Sequence, residues 1–156
     1  MLGGSHENER RAGTENLAAI IGLVSALEKF ANPPVFDKSK LKAFADKLIP
    51  AIEKIDGCEL VSPREHCLAN TISFTVQGAD SIALLANLDV EGICASSGSA
   101  CSAGSLEPSH VIVAIGKESS ANSLVRFSLG RENTMDEVDF VGSALQKIIK
   151  RAQVKQ

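Results

Sequence analysis

The order in which helical and strand-like patterns follow one another is the feature that most constrains the fold. Apolar residues recur at helix spacing over 17–31 and again over about 39–55. The stretch 71–76 instead alternates Ile72, Phe74 and Val76 with hydroxyl side chains, which is typical of a strand with one buried face. Further strand patterns cover 58–61, 92–95 and 125–129, and further helical patterns cover 80–88, a stretch from Leu106-Glu107-Pro108 onwards, and a stretch after the capping box Thr134–Glu137.

This order predicts an α/β (α+β) fold: a small, mostly antiparallel sheet of three or four strands with helices packed on it. Because we find no internal repeat and no linker, we expect a single domain over 1–156, with a polar loop at 1–13 and the folded part at 14–156. Thr14 or Glu15 is the expected N-cap of the first helix. Pro50 is expected to kink the second helix, and Gly57 to end it.

Composition excludes several classes of protein. The 156 residues carry a net charge of −3, which gives no electrostatic footprint for nucleic acid. Six Phe without Tyr or Trp make a base-stacking surface improbable. The longest apolar stretch, 17–27, is shorter than the roughly 20 residues of a membrane span, and no signal peptide is recognisable. We therefore expect no nucleic-acid partner, no membrane association and a cytoplasmic location.

The four cysteines, Cys58, Cys67, Cys94 and Cys101, do not form a Cys-x-x-Cys pair, and the three histidines are scattered. We therefore expect no metal site. A disulfide framework is not expected in a chain of this size without a secretion signal. Cys94 is expected to be buried in an apolar strand, and Cys58 to open a strand.

Cys101 lies in a run of Ser, Gly and Ala residues over 96–105. One interpretation is a surface loop that happens to contain a cysteine. The other is a reactive thiol, because small neighbours let reacting groups approach and an exposed thiol without a role is an oxidation liability. Composition alone leaves both interpretations open.

Two further segments contain candidate anion-binding residues. Arg126 lies inside the apolar strand pattern 125–129, either as a solvent-facing edge residue or as a fork presented to a carboxylate. Thr14 precedes the first helix, either as part of a simple cap or as a donor to a phosphate at the helix N-terminus.

Taken together, these segments resemble the cysteine desulfurases of the NifS/IscS type, pyridoxal-phosphate (PLP) enzymes of the class V aminotransferase superfamily. The resemblance rests on five stretches that span almost the whole chain: Gly3 to Asn16, Asn70-Thr71-Ile72-Ser73-Phe74, Ser96-Ser97-Gly98-Ser99-Ala100-Cys101-Ser102, Leu106-Glu107-Pro108-Ser109-His110, and Val125-Arg126-Phe127-Ser128-Leu129-Gly130-Arg131. The cysteine-bearing and arginine-bearing stretches are the most specific.

The resemblance implies a fold like the C-terminal small domain of fold-type I PLP enzymes, with 1–13 lining the active site. It implies that Cys101 takes sulfur from L-cysteine as a persulfide and that L-alanine is released. Arg126 would hold the substrate carboxylate, and Thr14 would reach the cofactor phosphate of the other subunit of a homodimer. The sulfur would pass to an acceptor such as an iron–sulfur scaffold protein or to a thiolation pathway. A helix N-terminus near 106–108 would favour the Cys101 thiolate.

The chain departs from this family in one respect. The family's cofactor-binding lysine follows a histidine, and no lysine of this chain does. We therefore expect the C-terminal portion of a desulfurase, lacking the PLP-lysine domain and inactive alone. The alternative is a stand-alone sulfur-carrier or interaction domain that accepts persulfide sulfur without PLP. A class V enzyme acting on another amino acid is disfavoured, because transamination needs no thiol.

Overall fold

The computed structural model describes residues 3–31, 37–63, 65–98 and 108–153. Cys101 and the predicted helix start at 106–107 lie outside these residues. Internal contacts divide the chain into two compact units, 1–35 and 36–156, which are described separately.

Unit 1 contains a tight turn and one helix. His6 and Arg11 pair across the turn, with the His6 N–H donating to the Arg11 carbonyl at 3.0 Å. Helix α1 spans Leu17–Phe30, and its N-cap is Asn16, whose side-chain oxygen accepts from the Ala19 N–H at 3.1 Å. The predicted cap at Thr14 or Glu15 is thus wrong, because Asn16 is the residue whose side chain reaches the first turn.

The apolar side chains of α1 are exposed. No residue of the helix is buried, and six large apolar side chains are exposed by 45% or more: Leu17, Ile20, Ile21, Leu23, Val24 and Leu27. Their spacing is that of an amphipathic helix that buries one face against a partner. A face this apolar is typical of an interaction surface.

Unit 2 contains the sheet and the other helices. The elements in chain order are α2 (Lys38–Glu53), β1 (Cys58–Leu60), β2 (Thr71–Val76), α3 (Ser81–Val90), α4 (His110–Ala114), a 3₁₀ turn (Glu118–Ser120), β3 (Leu124–Ser128) and α5 (Met135–Ala152). Among the helices of the described residues, none combines the length and the apolar character that crossing a bilayer requires.

The three strands form one antiparallel sheet in the order β1-β2-β3, which confirms the predicted fold class. Leu60 pairs with Phe74 in β1–β2, and Phe74 pairs with Val125 in β2–β3. Because β2 lies between the other two strands, it is bonded along both sides. The register of β2 therefore sets the positions of both β1 and β3.

Helices α2 and α3 pack on one face of the sheet, and α5 packs against both of these helices. The core between them includes Ile72, Phe74 and Val76 of β2 and Val125 and Phe127 of β3. A smaller cluster covers part of the other face, where Leu124 packs with Ile112 of α4 and Ala121. Burial of the first face fixes the register, because a one-residue slip would turn these side chains to the opposite side.

The segment after α3 differs from its prediction. Residues 92–95 do not form a strand: Gly92 has a φ of +75°, and the Ile93 N–H returns to the Leu88 carbonyl at 2.9 Å, closing the helix. Ile93 is buried, whereas Cys94 is exposed. The predicted burial of Cys94 is wrong, because the helix-closing turn buries only its neighbour.

The start of one helix and the end of another also differ from their predictions. Helix α4 begins at His110, so Pro108 precedes it rather than occupying its first turn. Helix α2 ends at Glu53 with Lys54 as its C-cap, and Gly57 lies in the turn before β1 with a φ of +81°.

Candidate functional site

Arg126 lies in the middle of β3, as predicted from the sequence. Its neighbours Val125 and Phe127 are buried in the core, so the alternation of a strand directs the Arg126 side chain to the opposite face. The Arg126 side chain is half-buried. In the part of the chain that the structure describes, no hydrogen bond or ion pair engages its guanidinium group.

The backbone of Arg126 is held on the outer side of β3 by Ser96. The Ser96 N–H donates to the Arg126 carbonyl at 3.0 Å, and the Arg126 N–H donates to the Ser96 carbonyl at 2.7 Å. These two bonds form an isolated antiparallel bridge. They place Ser96, the first residue of the small-residue run that contains Cys101, directly beside the guanidinium-bearing residue.

On the inner side of β3, Arg126 lies opposite Ser73 of β2. Ser73 uses its backbone toward the other edge: its carbonyl accepts from Val61 N–H at 2.8 Å, and its N–H donates to Ser62 Oγ at 2.8 Å. Ser73 and Arg126 are therefore a non-hydrogen-bonded pair, the type in which the two side chains come closest.

The face around Arg126 is polar. Thr71, Ser73 and Ser128 share it by the alternation and the register of β2 and β3. The apolar cluster of Leu124 and Ile112 covers the other part of that face. The result is a guanidinium group among hydroxyl groups, an environment suited to a carboxylate.

Residues near the ends of β2 and β3 are tied together. The Leu129 N–H donates to the Asn70 carbonyl at 2.7 Å, and Thr71 Oγ1 donates to Asn70 Oδ1 at 3.3 Å. Beyond β3, the Gly130 N–H donates to Asn133 Oδ1 at 2.7 Å. The strand that carries Arg126 is thereby held at its exit as well as along its length.

Cys101 itself lies outside the described residues, so its predicted role stays a prediction. It follows Ser96 by five positions in the chain, a distance that an extended chain spans with at most about 18 Å. On the other side, helix α4 has only five residues, and its N-cap Ser109 makes no side-chain cap bond. Such a short helix offers little dipole to stabilise a thiolate.

Thr14 is exposed and lies two residues before the N-cap of α1. Its carbonyl accepts from Arg11 Nη2 at 3.3 Å. The N–H groups of Leu17, Ala19 and Ile20 already have acceptors within the chain, at Glu15 O, Asn16 Oδ1 and Asn16 O respectively. Most of the first-turn donors of α1 are therefore engaged by the chain itself.

The described residues do not form a cradle for PLP. No lysine of the chain follows a histidine, and the helix N-terminus beside Thr14 has few open donors. Nor do the described residues contain a group of three or more His, Cys, Asp or Glu side chains able to hold a metal ion.

The remaining thiols of the described residues differ in their surroundings. Cys67 and Cys94 are exposed. Cys58 is half-buried at the start of β1, beside a cavity of about 510 Å³ that Thr75, Gly78 and Ser123 also line. Burial raises the pKa of the Cys58 thiol to about 11, so this thiol stays protonated and is a poor nucleophile at neutral pH.

Sequence reasoning identified Arg126 but not Ser73 or Ser96 as its neighbours. The strand patterns alone carry no information about which residues pair. Ser73 occupies a polar position of the 71–76 alternation, which was the only available signal.

Comparisons with known proteins extend over nearly the whole chain. The sequence profile of the family described as "Aminotransferase class-V" matches residues 4–141. "Cysteine desulfurase IscS" of Clostridium botulinum is 39% identical over 153 residues, which are 96% of this chain and 38% of that protein. "Putative cysteine desulfurase IscS 1" of Bacillus subtilis is 37% identical over 154 residues, which are 97% of this chain and 41% of that protein.

A solved structure shows the same fold. The NifS-like protein of Rickettsia africae superposes with a TM-score of 0.74 at 31% identity, covering 96% of this chain and 39% of that one. The chain thus spans about two-fifths of the length of the relatives it matches.

Proposed function

Because this chain belongs to the aminotransferase class V family, we propose that it supplies the thiol and the substrate-carboxylate site of a PLP-dependent cysteine desulfurase. The sulfur of L-cysteine passes to Cys101, the C–S bond of the substrate breaks, an S–S bond forms on the protein, and L-alanine leaves. The observation that carries the proposal is the half-buried guanidinium group of Arg126, which has no partner among the residues that the structure describes. The backbone of the same residue is hydrogen-bonded to that of Ser96.

Arg126 binds the substrate carboxylate in this proposal. A guanidinium fork matches a carboxylate in two parallel hydrogen bonds, and partial burial strengthens both. Because β3 is paired with β2 along one side and bridged to Ser96 on the other, the fork is presented from a rigid strand. Rigid presentation orients the substrate so that its sulfur lies at a defined place.

Cys101 is the sulfur acceptor. Its chain connection to Ser96 keeps it within about 18 Å of the bridge beside Arg126. The attacking species is the thiolate, which is a small fraction of an ordinary thiol at neutral pH. Serine, glycine and alanine neighbours leave room for substrate at the sulfur.

The cofactor is held by a part of the enzyme other than this chain. The described residues offer no lysine in the family's setting, and the chain covers about two-fifths of its relatives. The exposed apolar side chains of α1 support an association with further polypeptide. Thr14 adds a hydroxyl donor to the cofactor phosphate across a homodimer, and the isolated chain is inactive.

The persulfide sulfur then passes from this chain to an acceptor protein, such as an iron–sulfur scaffold or a protein of a thiolation pathway. This sulfur transfer takes place in the cytoplasm.

Two substitutions in the complete enzyme test the proposal. Cys101→Ser abolishes persulfide formation, detected by mass spectrometry as one added sulfur atom, whereas the matched control Cys94→Ser retains it. Arg126→Ala raises the KM for L-cysteine by about 10- to 100-fold, the loss expected for a charge-assisted pair. Alanine production that survives in Cys101→Ser, or an unchanged KM in Arg126→Ala, contradicts the proposal.

The absence of a PLP cradle in the described residues favours one alternative, a sulfur carrier that receives persulfide sulfur from a donor protein. A carrier has no use for a carboxylate fork, so Arg126→Ala would leave its sulfur loading unchanged. The mass of the native polypeptide, measured in its own cell, separates the two. A species much heavier than 16.4 kDa supports the enzyme, and one of that mass supports the carrier.

A further inference from the structure

We propose that the hydroxyl group of Ser73 is a second donor to the substrate carboxylate, acting beside Arg126 and setting the orientation of that carboxylate. This inference rests on the proposed function, in which Arg126 binds the carboxylate. It adds a binding residue from the neighbouring strand.

The register of the sheet brings the two residues together. Ser73 of β2 is the direct cross-strand partner of Arg126 of β3, so their side chains leave the same face. The backbone hydrogen bonds of Ser73 run to Val61 and Ser62, and those of Arg126 run to Ser96. The pair is therefore the non-hydrogen-bonded type, with Cα atoms about 4.5 Å apart in standard antiparallel geometry.

Both side chains are half-buried and unpaired. Ser73 Oγ and the Arg126 guanidinium group have no hydrogen-bond partner among the residues that the structure describes. Removing polar groups partly from water without a partner costs free energy. A ligand that accepts from both groups would recover this cost.

The other hydroxyl groups of this face are placed less favourably. Thr71 Oγ1 already donates to Asn70 Oδ1 at 3.3 Å. Thr75 lies two residues further along β2 and is 2% exposed, and Ser128 lies exposed at the end of β3. Ser73 is thus the hydroxyl directly opposite the guanidinium group, with its proton available.

A carboxylate suits this pair of donors. Its two oxygens offer about four acceptor positions, of which a bidentate guanidinium occupies two. The Ser73 O–H takes a third from a different strand. Two parallel bonds from Arg126 hold the carboxylate in the guanidinium plane but oppose only weakly its tilting about the line through its two oxygens. A third bond from a different direction restricts that tilting. A substrate without a carboxylate gains nothing from Ser73.

The test compares Ser73→Ala, Ser73→Thr and the control Ser143→Ala in the complete enzyme. Ser143 is exposed on α5, and its hydroxyl donates to the Phe140 carbonyl at 2.8 Å, so its removal reports the effect of losing a remote hydroxyl. Three constants are measured: the KM and the kcat for L-cysteine and the calorimetric Kd of the product L-alanine. The Ki of cysteamine, which lacks the carboxylate, is the matched ligand control.

Ser73→Ala raises both the KM for L-cysteine and the Kd of L-alanine about tenfold, the effect of losing one hydrogen bond to a charged group. Its kcat stays within about twofold, because Arg126 still holds the carboxylate and the lost contact is made equally in the ground state and the transition state. Its Ki for cysteamine is unchanged, because cysteamine has no carboxylate. Ser73→Thr keeps the hydroxyl and stays close to the unsubstituted enzyme, as does Ser143→Ala.

Three results overturn the inference. Unchanged constants in Ser73→Ala, alongside a raised KM in Arg126→Ala, show that the carboxylate contacts Arg126 without Ser73, and the proposed function stands. Equal losses in Ser73→Ala and Ser73→Thr, or a raised Ki for cysteamine, show an effect of packing rather than of the hydroxyl. An unchanged KM in Arg126→Ala is the separate result that removes the proposed function itself.

Discussion

Replacing Thr134 by Ala tests the junction between the Arg126-bearing strand and helix α5. Thr134 Oγ1 accepts from the Glu137 N–H at 3.3 Å, and the Glu137 carboxylate accepts from the Thr134 N–H at 3.0 Å. The same carboxylate accepts from Asn133 Nδ2 at 3.0 Å, and Asn133 Oδ1 accepts from the Gly130 N–H at 2.7 Å. These bonds link the exit of β3 to the first turn of α5.

The expected loss in the free energy of unfolding is about 1 kcal/mol, within the range of about 0.5–2 kcal/mol for an N-cap threonine. All residues of the cap are at the surface except the half-buried Asn133, so water replaces part of the lost bonding. For a unit of this size the loss lowers Tm by about 3–6 °C. Far-ultraviolet circular dichroism is the appropriate signal, because the chain has no Trp or Tyr for near-ultraviolet detection.

Thr134→Ser is the matched control, since it keeps the oxygen that accepts from Glu137. We expect it to retain most of the stability. A change below about 0.3 kcal/mol in Thr134→Ala, or an equal loss in Thr134→Ser, would refute the reasoning from the cap.

The same junction predicts a dependence on pH. The hydrogen bond from Asn133, followed by that from Thr134, holds the pKa of Glu137 below its usual value of 4.5. The ionised carboxylate therefore stabilises the folded state fully above about pH 4.5, and this contribution declines as the pH falls through the folded-state pKa. The stability difference between the natural protein and Glu137→Gln should shrink on acidification, and a difference that grows would contradict this assignment.

Two further measurements test the packing of the sheet. At pH 8 iodoacetamide should modify Cys58 at least tenfold more slowly than the exposed Cys94, because burial raises the pKa of Cys58 to about 11. Peptide mapping by mass spectrometry measures both rates. Equal rates would contradict the burial of Cys58. The rings of Phe74 and Phe127, with centroids 5.6 Å apart, should show a coupling of about 0.5–1.5 kcal/mol in a double-mutant cycle of Phe→Leu substitutions. Strict additivity in urea unfolding would exclude an energetic contact between them.

Sequence patterns predicted those helices and strands whose ends are determined by neighbouring residues in the chain. The alternation over Thr71–Val76 predicted β2 with its observed ends, and the capping box at Thr134 predicted the start of α5. Cys94 was predicted to be buried in a strand, but the turn at Gly92 buries only Ile93. An apolar run of four residues does not distinguish a strand from the end of a helix.

In the candidate site, too, the sequence predicted the local features but not the long-range contacts. Arg126 could be assigned to a strand from its apolar neighbours, and the family resemblance drawn from its motif is confirmed by the comparisons. The pairing of Arg126 with Ser73 on one side and Ser96 on the other could not be predicted from the sequence. Such pairing depends on contacts between residues that are far apart in the chain. The roles of Cys101, Arg126 and Thr14 stay predictions.

The strand order has a consequence for how this chain is made. The central strand β2 pairs with β3, which is synthesised some 50 residues later. Helix α5 is completed about 80 residues after β2. At about 5–20 residues per second of synthesis, the apolar face of β2 emerges roughly 4–16 s before α5 is complete. The apolar face of α2, which ends about 100 residues before the end of α5, emerges roughly 5–20 s before that point. Folding of this unit on the ribosome therefore waits for its last helix. A nascent chain halted before Met135 should be protease-sensitive and bind chaperones, whereas one extended until α5 has cleared the ribosome should be protected.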